Sequence, residues 1–233
     1  MTFVLIPGAG GQGSYWHLVT DELRSRGHEA LPIDLPADDD NKDIPDYADV
    51  VLAAIDGHTD ITVVAQSMGA FTVPLVCDSV AVRMIALVNA MIPAPRERPG
   101  DWWATTGQAY ARRQMDLRDG RDPDAEFDPF VVFLHDVPQH VIESMQQARE
   151  QSGTPFASSW TPGPWPDVPT RVVTGRDDRF FPAAFQRRVA QERLGISCDE
   201  MPGGHLLALS QPTELVDRLE AYHLELERCS TRN

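Results

Sequence analysis

The stretch that most constrains the fold of this chain is Val63-Val64-Ala65-Gln66-Ser67-Met68-Gly69-Ala70. An apolar, β-branched run ends at Val64, and such runs are typical of buried parallel strands. One serine follows, with small residues two places before it and two places after it, at Ala65 and Gly69. This spacing is typical of a nucleophile elbow, a strand-to-helix turn so sharp that the serine takes a strained backbone conformation. The pattern therefore predicts that Ser67 lies above a sheet edge, at the N-terminus of a helix.

The composition limits the classes of protein to which the chain can belong. Its 233 residues are enough for one domain with a full core. The formal net charge of −15 would repel nucleic acids and anionic membranes, so we expect neither as a partner. The three cysteines, Cys77, Cys198 and Cys229, lack CxxC spacing, which argues against a disulfide framework and a zinc site. Because neither a signal peptide nor a membrane-spanning run is visible, we expect a cytoplasmic protein.

Strands alternate with helices in the first ninety residues of the chain. Buried strands are predicted at 2–6, 28–33, 61–64 and 83–89, and helices at 18–26, 47–55 and 68–78. Pro74 is expected to kink the third helix, and the acidic segment 37–46 is expected to be a solvated loop. This alternation is typical of βαβ units and predicts a parallel sheet.

The alternation stops between Met91 and Val168. Prolines, the pair Trp102–Trp103 and helical segments at 110–117 and 141–150 replace the buried strands there. Beyond it, the sequence predicts strands at 171–174 and 196–201 and helices at 183–193 and 212–227. We therefore predict a core made of residues 1–91 and 169–233, with residues 92–168 inserted as a lid.

A glycine-rich loop, Gly8-Ala9-Gly10-Gly11-Gln12-Gly13, allows two interpretations. It follows a strand, precedes a helix and has Asp34 at 21 residues beyond Gly13, as a dinucleotide-binding fingerprint requires. However, Pro7 removes a backbone donor just before the loop, and the bulky Tyr15–Trp16 pair follows where such a helix needs close packing.

The same loop could instead supply part of an oxyanion hole. In that interpretation the backbone N–H groups of Ala9 and Met68 would point at the substrate of Ser67. We favour this use of the loop, and we expect neither a cofactor nor a metal.

A serine hydroxyl is a weak nucleophile and needs a base that is oriented by a carboxylate. Four histidines follow Ser67 along the chain: His135, His140, His205 and His223. His205 is the favoured base, because Pro202-Gly203-Gly204 places it on a loop at a strand end. His223 is expected to be solvated within the last helix, and the spacing of the other two suits neither a helical metal pair nor a base.

Two adjacent carboxylates, Asp177 and Asp178, follow the strand predicted at 171–174. Only one of them can face the imidazole, because neighbouring side chains diverge. An acid after the fourth strand is excluded, since residues 89–92 contain no carboxylate. The residues alone leave both aspartates open.

Taken in order, the stretches PGAGGQGSYW, IDLP, VVAQSMGA, TGRDDRFFP and GGH resemble the α/β-hydrolase superfamily along essentially the whole chain. The resemblance is to the compact branch with plant-type methylesterases, hydroxynitrile lyases and small bacterial esterases. It implies an α/β fold with a mostly parallel central sheet flanked by helices, and a helical cap at residues 92–168. It also implies Ser67 as nucleophile, His205 as base, and Ala9 and Met68 as oxyanion amides.

The resemblance also bears on the acid. The family's frequent Gly-x-x-Asp-x-x-x-Pro spacing, counted from Gly175 to Pro182, indicates Asp178, whereas some members place the acid one residue earlier, at Asp177. We favour Asp178. The chain departs from the family at Pro7, where a histidine is usual, and in having alanine at the first small position of the elbow.

The resemblance implies a serine esterase that acts through an acyl-enzyme on a small carboxylic ester or related acyl substrate. Trp102, Trp103 and Phe133 indicate an apolar substrate, or equally a core within the insertion itself. A lyase or cyclase on the same fold is one alternative, although residues 91–168 contain no counterpart of the lysine that hydroxynitrile lyases use. A ligand-binding protein that retains the three residues is another.

Overall fold

A six-stranded parallel sheet runs through the centre of the computed structural model, which describes residues 1–230. Its strands are β1 (Thr2–Ile6), β2 (Glu29–Pro32), β3 (Ile61–Gln66), β4 (Met84–Val88), β5 (Thr170–Gly175) and β6 (Cys198–Met201). They lie in the order β2-β1-β3-β4-β5-β6, and every neighbouring pair is parallel. All residues of β1, β3 and β4 are buried, as expected for apolar strands that are covered on both faces. The predicted α/β fold is confirmed.

Eleven α-helices accompany the sheet within residues 1–230. They are α1 (His17–Ser25), α2 (Ile44–Ala54), α3 (Val73–Ser79), α4 (Trp102–Thr106), α5 (Gln108–Arg118), α6 (Pro129–Val132), α7 (Gln139–Ser144), α8 (Thr154–Ala157), α9 (Ala183–Leu194), α10 (Leu207–Ser210) and α11 (Pro212–Ser230). Short 3-10 helices cover Gly13–Trp16, Ser67–Phe71 and Pro99–Asp101. None of the helices in this part of the chain is both long enough and apolar enough to cross a bilayer.

The core consists of two main apolar layers, one on each face of the sheet. Successive side chains of a strand point to opposite faces, so β1 contributes to both layers. Phe3 and Leu5 pack with α1 and α11, whereas Val4 and Ile6 pack with α2, α3 and α9. The sheet is therefore a rigid base, and the loops at the carboxyl ends of its strands carry the candidate site.

Several predicted boundaries move because side chains cap or break helices. α2 begins at Ile44, three residues before the predicted start, because the Asp43 carboxylate accepts the N–H of Ile44 and the Asp46 carboxylate accepts the N–H of Asp43. Part of the acidic segment is thus a helix cap rather than loop. The 3-10 helix Ser67–Phe71 and α3 replace the single kinked helix, with Pro74 in the first turn of α3, where a missing N–H is tolerated.

The chain between β4 and β5 leaves the sheet and forms the five helices α4 to α8. Its first helix docks on the core, because Trp102 is fully buried and its indole N–H donates to the carbonyl of Ile92 at 3.0 Å. The helix predicted at 141–150 was wrong in its second half, since α7 ends at Ser144.

Candidate active site

Ser67 lies at the sharp turn between β3 and the first 3-10 helical residues after it. Its φ of +49° is a left-handed conformation, which costs on the order of 1–3 kcal/mol in a residue other than glycine. The turn is tight because a Cβ on Gly69 would lie 2.5 Å from the carbonyl oxygen of Pro7. The Met91 N–H donates to the Ser67 carbonyl at 2.9 Å, which ties the turn to the chain after β4.

The glycine-rich loop runs directly beside the serine. A Cβ on Gly8 would lie 2.8 Å from the Cβ of Ser67, so the backbone approaches this closely only because Gly8 has no side chain. Ala9 follows on the cavity wall, and among residues 1–230 its N–H meets no protein acceptor. The N–H of Met68 belongs to the first turn of a 3-10 helix, where amides lack partners within the helix. The structure thus places both predicted oxyanion residues beside Ser67.

Asp34, the acidic residue of the dinucleotide interpretation, holds the glycine loop. Its Oδ1 accepts the N–H of Gly13 at 2.9 Å, and the N–H of Leu35 donates to the carbonyl of Gly11 at 2.7 Å. The third glycine of the motif therefore uses the acidic residue as a structural partner, which favours the interpretation of this loop as part of an oxyanion hole.

Residues 145–152 form an irregular strap across the same loop. The N–H of Gly10 donates to Gln151 Oε1 at 3.1 Å. The side chain of Gln12 donates to the carbonyl of Gln147 at 3.1 Å and accepts the N–H of Arg149 at 2.7 Å. Because the carbonyl of Gln147 and the N–H of Arg149 bind the glycine-rich loop, they are not available for the helix that the sequence predicted here.

Asp178 and His205 form a buried pair beside the serine. Oδ2 of Asp178 lies 2.8 Å from Nδ1 of His205, and the two residues are 0% and 3% exposed. The other carboxylate oxygen accepts the N–H groups of Phe180 and Phe181 at 2.7 and 2.8 Å. These contacts orient the carboxylate and leave Nε2 of His205 for the cavity. Among the described residues no hydrogen bond joins Ser67 to His205, and such bonds are often long in unliganded enzymes.

Asp177 binds the backbone of the histidine loop instead of the imidazole. Its N–H donates to the carbonyl of Gly203 at 2.9 Å, and its Oδ2 accepts the N–H of Gly203 at 3.2 Å. The geometry therefore places Asp178, the favoured of the two aspartates, against His205. Asp177 instead binds the backbone of Gly203, two residues before the histidine.

Asn89 also holds the His205 loop, and the sequence reasoning missed it. Its φ is +43° and its side chain is fully buried. Nδ2 donates to the carbonyls of Gly204 and His205 at 3.0 and 2.9 Å. Oδ1 accepts the hydroxyl of Thr174 at 3.0 Å and the N–H of Gly175 at 2.8 Å. This one amide connects the ends of β4 and β5 to the loop that carries His205.

A cavity of about 600 Å³ opens above Ser67 and His205. Its walls are mostly apolar, and the inserted segment supplies several of them, among them Trp103, Phe133, Leu134, Met145 and Phe156. Within the described residues no aspartate, glutamate, lysine or arginine lines it. The arrangement can therefore receive an uncharged molecule of considerable size next to the serine.

Two other predictions about individual residues can be compared with the structure. The prediction that His223 is solvated was wrong: it is 2% exposed, its Nε2 lies 3.2 Å from the Thr62 hydroxyl, and burial lowers its pKa. Trp102 belongs to the core, whereas Trp103 and Phe133 line the cavity, so both interpretations of the aromatic residues apply to part of the set.

The remaining metal-binding residue types lie apart from one another. Within residues 1–230 no three histidine, cysteine or acidic side chains form a group suited to a metal ion. Cys77 and Cys198 are unpaired, and burial raises the pKa of each thiol to about 12. The side chain of Cys229 lies outside the described part of the chain.

Comparison with known proteins identifies the family of the chain. The model of the alpha/beta hydrolase family matches residues 3–218. The chain belongs to this family. No curated protein matches its sequence significantly.

Solved structures similar to the chain share its fold. A pyrethroid hydrolase from Sphingobium faniae JZ-2 is 20% identical with a TM-score of 0.71, over 95% of this chain and 96% of that one. Polyneuridine aldehyde esterase is 18% identical with a TM-score of 0.75, over 94% and 98%. A methylesterase from Arabidopsis is 17% identical with a TM-score of 0.69, over 95% and 98%.

Proposed function

We propose that the protein is a serine esterase that hydrolyses an uncharged, largely apolar carboxylic ester or related acyl substrate. The observation that carries this proposal is the pairing of a strained serine and a carboxylate-bound histidine on one cavity, with Asp178 Oδ2 at 2.8 Å from His205 Nδ1. The similar solved structures include a hydrolase, an esterase and a methylesterase, which supports ester hydrolysis in general.

In the proposed mechanism Ser67 is the nucleophile and His205 the base. Nε2 of His205 takes the proton of the Ser67 hydroxyl as Oγ attacks the substrate carbonyl, and the resulting imidazolium is stabilised by Asp178. The alcohol leaves with the proton from His205. A water molecule, deprotonated by the same nitrogen, then attacks the acyl-enzyme, and the proton passes from His205 to Ser67 Oγ as the acid leaves.

The N–H groups of Ala9 and Met68 would receive the negative charge of the tetrahedral intermediate. A donor of this kind typically contributes about 3 kcal/mol to stabilisation of the transition state. The contribution depends on a fixed backbone position, and here the strap residue Gln151 accepts the N–H of Gly10, next to Ala9. We therefore assign the glycine loop and its strap to the stabilisation of the oxyanion.

The cavity wall supports an uncharged substrate. A charged group that entered it would lose its hydration without meeting an opposite charge, which is strongly unfavourable. Aromatic and aliphatic side chains from residues 92–168 would instead contact apolar parts of the substrate, and we propose that this insertion acts as the cap of the site.

Hydrolysis of p-nitrophenyl esters tests the proposal. We expect the wild-type protein to release nitrophenol from a neutral acyl ester, Ser67→Ala to show none above background, and a fluorophosphonate to label only the wild type. A matched ester whose acyl chain ends in a carboxylate should be a much poorer substrate. Equal turnover by wild type and Ser67→Ala would refute the roles of Ser67, His205 and Asp178. Tight binding of an ester without labelling of the serine would indicate a binding protein instead.

A further inference from the structure

A carboxylate of the inserted segment binds the loop that carries His205. Asp136 lies between α6 and α7, and its Oδ2 accepts the N–H of Gly204 at 2.5 Å. Hydrogen bonds to an ionised carboxylate are shorter and stronger than those between neutral groups. The residue that receives this bond directly precedes His205, so the insertion holds the backbone next to the proposed base.

Gly204 leaves the space that this contact needs. A Cβ at this position would lie 2.7 Å from Oδ1 of Asp136 and 2.9 Å from Nε2 of His135. Both of these atoms are buried and without a hydrogen-bond partner among the described residues, so Gly204 is the one hydrogen-bonding partner of the Asp136 carboxylate there. The second glycine of the Gly-Gly-His sequence is therefore explained by the close approach of the insertion.

The same segment contacts His205 and the residue that follows Asp178. The ring of Phe133 lies against that of His205, with centroids 5.2 Å apart. Arg179, which follows Asp178, donates from Nη1 to the carbonyl of Val131 at 3.0 Å. Residues 131–136 thus pack on the imidazole and on the turn of its carboxylate, and Asp136 adds the hydrogen bond to the loop itself.

We propose that Asp136 is a positioning residue, which holds the Gly204 backbone so that the His205 imidazole stays aligned between Asp178 and Ser67. This inference rests on the proposed esterase function. Asn89 holds the carbonyls of Gly204 and His205 from within the core, and Asp136 holds the N–H of Gly204 from the insertion. Removing either hold allows the loop to rotate, and displacement of a catalytic group by about 1 Å can cost on the order of 100-fold in rate.

Kinetics of Asp136 variants with a neutral p-nitrophenyl ester test this role. Asp136→Ala should lower kcat about 10- to 100-fold with KM within about twofold, because the substrate pocket is unchanged while the base is misaligned. Asp136→Asn retains an oxygen that can accept the Gly204 N–H, and it should recover most of kcat. The matched control is Asp124→Ala, which removes an exposed aspartate of the same insertion that pairs with Arg113, and it should behave as wild type.

The pH profile separates positioning from a general loss of structure. In Asp136→Ala the profile of kcat/KM against pH should change, whereas Asp136→Asn should keep the wild-type profile. Both variants lack the negative charge, and only Asp136→Ala lacks the oxygen that accepts the Gly204 N–H. Asp124→Ala should leave the profile unchanged. If Asp136→Ala does not fold, Asp136→Ser, whose hydroxyl is too short to replace the carboxylate, is measured instead.

The outcomes for the two proposals are distinct. Equal rates for wild type and Ser67→Ala would refute the esterase proposal itself. An active wild type with Asp136→Ala at the same kcat and the same pH profile would overturn the role of Asp136 alone. Rapid hydrogen exchange of the Gly204 amide in the folded wild-type protein would also overturn it, since a hydrogen-bonded N–H at this site should be protected.

Discussion

Replacing Asn89 with aspartate tests how the core side of the molecule holds the loop that carries His205. The two side chains have the same shape, so the change keeps the packing and replaces the Nδ2 donor with a carboxyl oxygen. Two hydrogen bonds disappear, to the carbonyls of Gly204 and His205 at 3.0 and 2.9 Å, while the oxygen that accepts from Thr174 and Gly175 remains. The new oxygen faces two carbonyl oxygens in a fully buried place.

The magnitude follows from these two lost bonds. A buried carbonyl left without a donor costs about 1–3 kcal/mol, so the pair predicts a loss of about 2–6 kcal/mol in the free energy of unfolding. Domains of this kind are stable by about 5–15 kcal/mol, so the variant should fold but be clearly destabilised. The hydrolysis rate should also fall, because the carbonyl of His205 is one of the two released groups.

The destabilisation should depend on pH. Burial against carbonyl oxygens raises the pKa of the introduced carboxyl group in the folded state above its unfolded value of about 3.9. Between the unfolded-state pKa and the raised folded-state pKa, the folded variant binds more protons than the unfolded variant. Its free energy of unfolding relative to wild type should therefore fall as pH rises from the first of these pKa values to the second. The protonated carboxyl can donate one of the two missing bonds, which is the structural cause of the recovery at low pH.

Urea unfolding of wild type and Asn89→Asp at several pH values measures both effects. Thr174→Val is the matched control, because it removes one donor to the opposite side of the same amide and should cost only about 1 kcal/mol. A loss under about 1 kcal/mol for Asn89→Asp, with no pH trend and an unchanged rate, would refute the view that this amide holds the loop.

Two further predictions concern the elbow and the core. Gly69→Ala should reduce both folding stability and turnover, because its Cβ would lie 2.5 Å from the carbonyl oxygen of Pro7. Unfolding and ester assays measure the two effects, with Ala70→Gly as the comparison. Stability and turnover equal to those of wild type would show that the turn is loose. His223 is buried and its folded-state pKa is lowered, so the unfolded state binds more protons below about pH 6.5 and stability should fall as pH drops through that value. His223→Gln should reduce this slope in urea unfolding measured between about pH 7.5 and about pH 5.5, and an identical slope would contradict the assignment.

The elbow was predictable because its serine and its small residues lie within five consecutive positions. The partner that requires Gly69 to be small is distant in the sequence, since a Cβ there would lie 2.5 Å from the carbonyl oxygen of Pro7 after β1, but the requirement itself is visible next to Ser67. The parallel sheet was predictable for a similar reason, since fully buried strands such as β3 are apolar along their whole length. Choosing between Asp177 and Asp178 needed more than composition, because the turn after β5 decides which carboxylate meets the imidazole.

Other residues depend on partners far away in the sequence. Asn89 contacts residues about 115 positions later, and Asp136 binds a loop 68 positions later. Neither contact leaves a local pattern. His223 is different, because the buried residues Val216 and Leu219 of α11 lie seven and four positions before it, and this helical spacing indicates that it belongs to the buried face.

Some side chains of the cavity wall also contact the proposed base, and others do not. Phe133 lines the cavity and packs against His205 at 5.2 Å, in the same segment as Asp136. Trp103 and Phe156 pair with each other at 6.5 Å elsewhere on the wall. A change of size at Phe133 therefore disturbs the alignment of the imidazole as well as the shape of the pocket. Substrate selection has most freedom at Phe156, because Trp103 also packs against Phe180 and Phe181, whose rings contact His205.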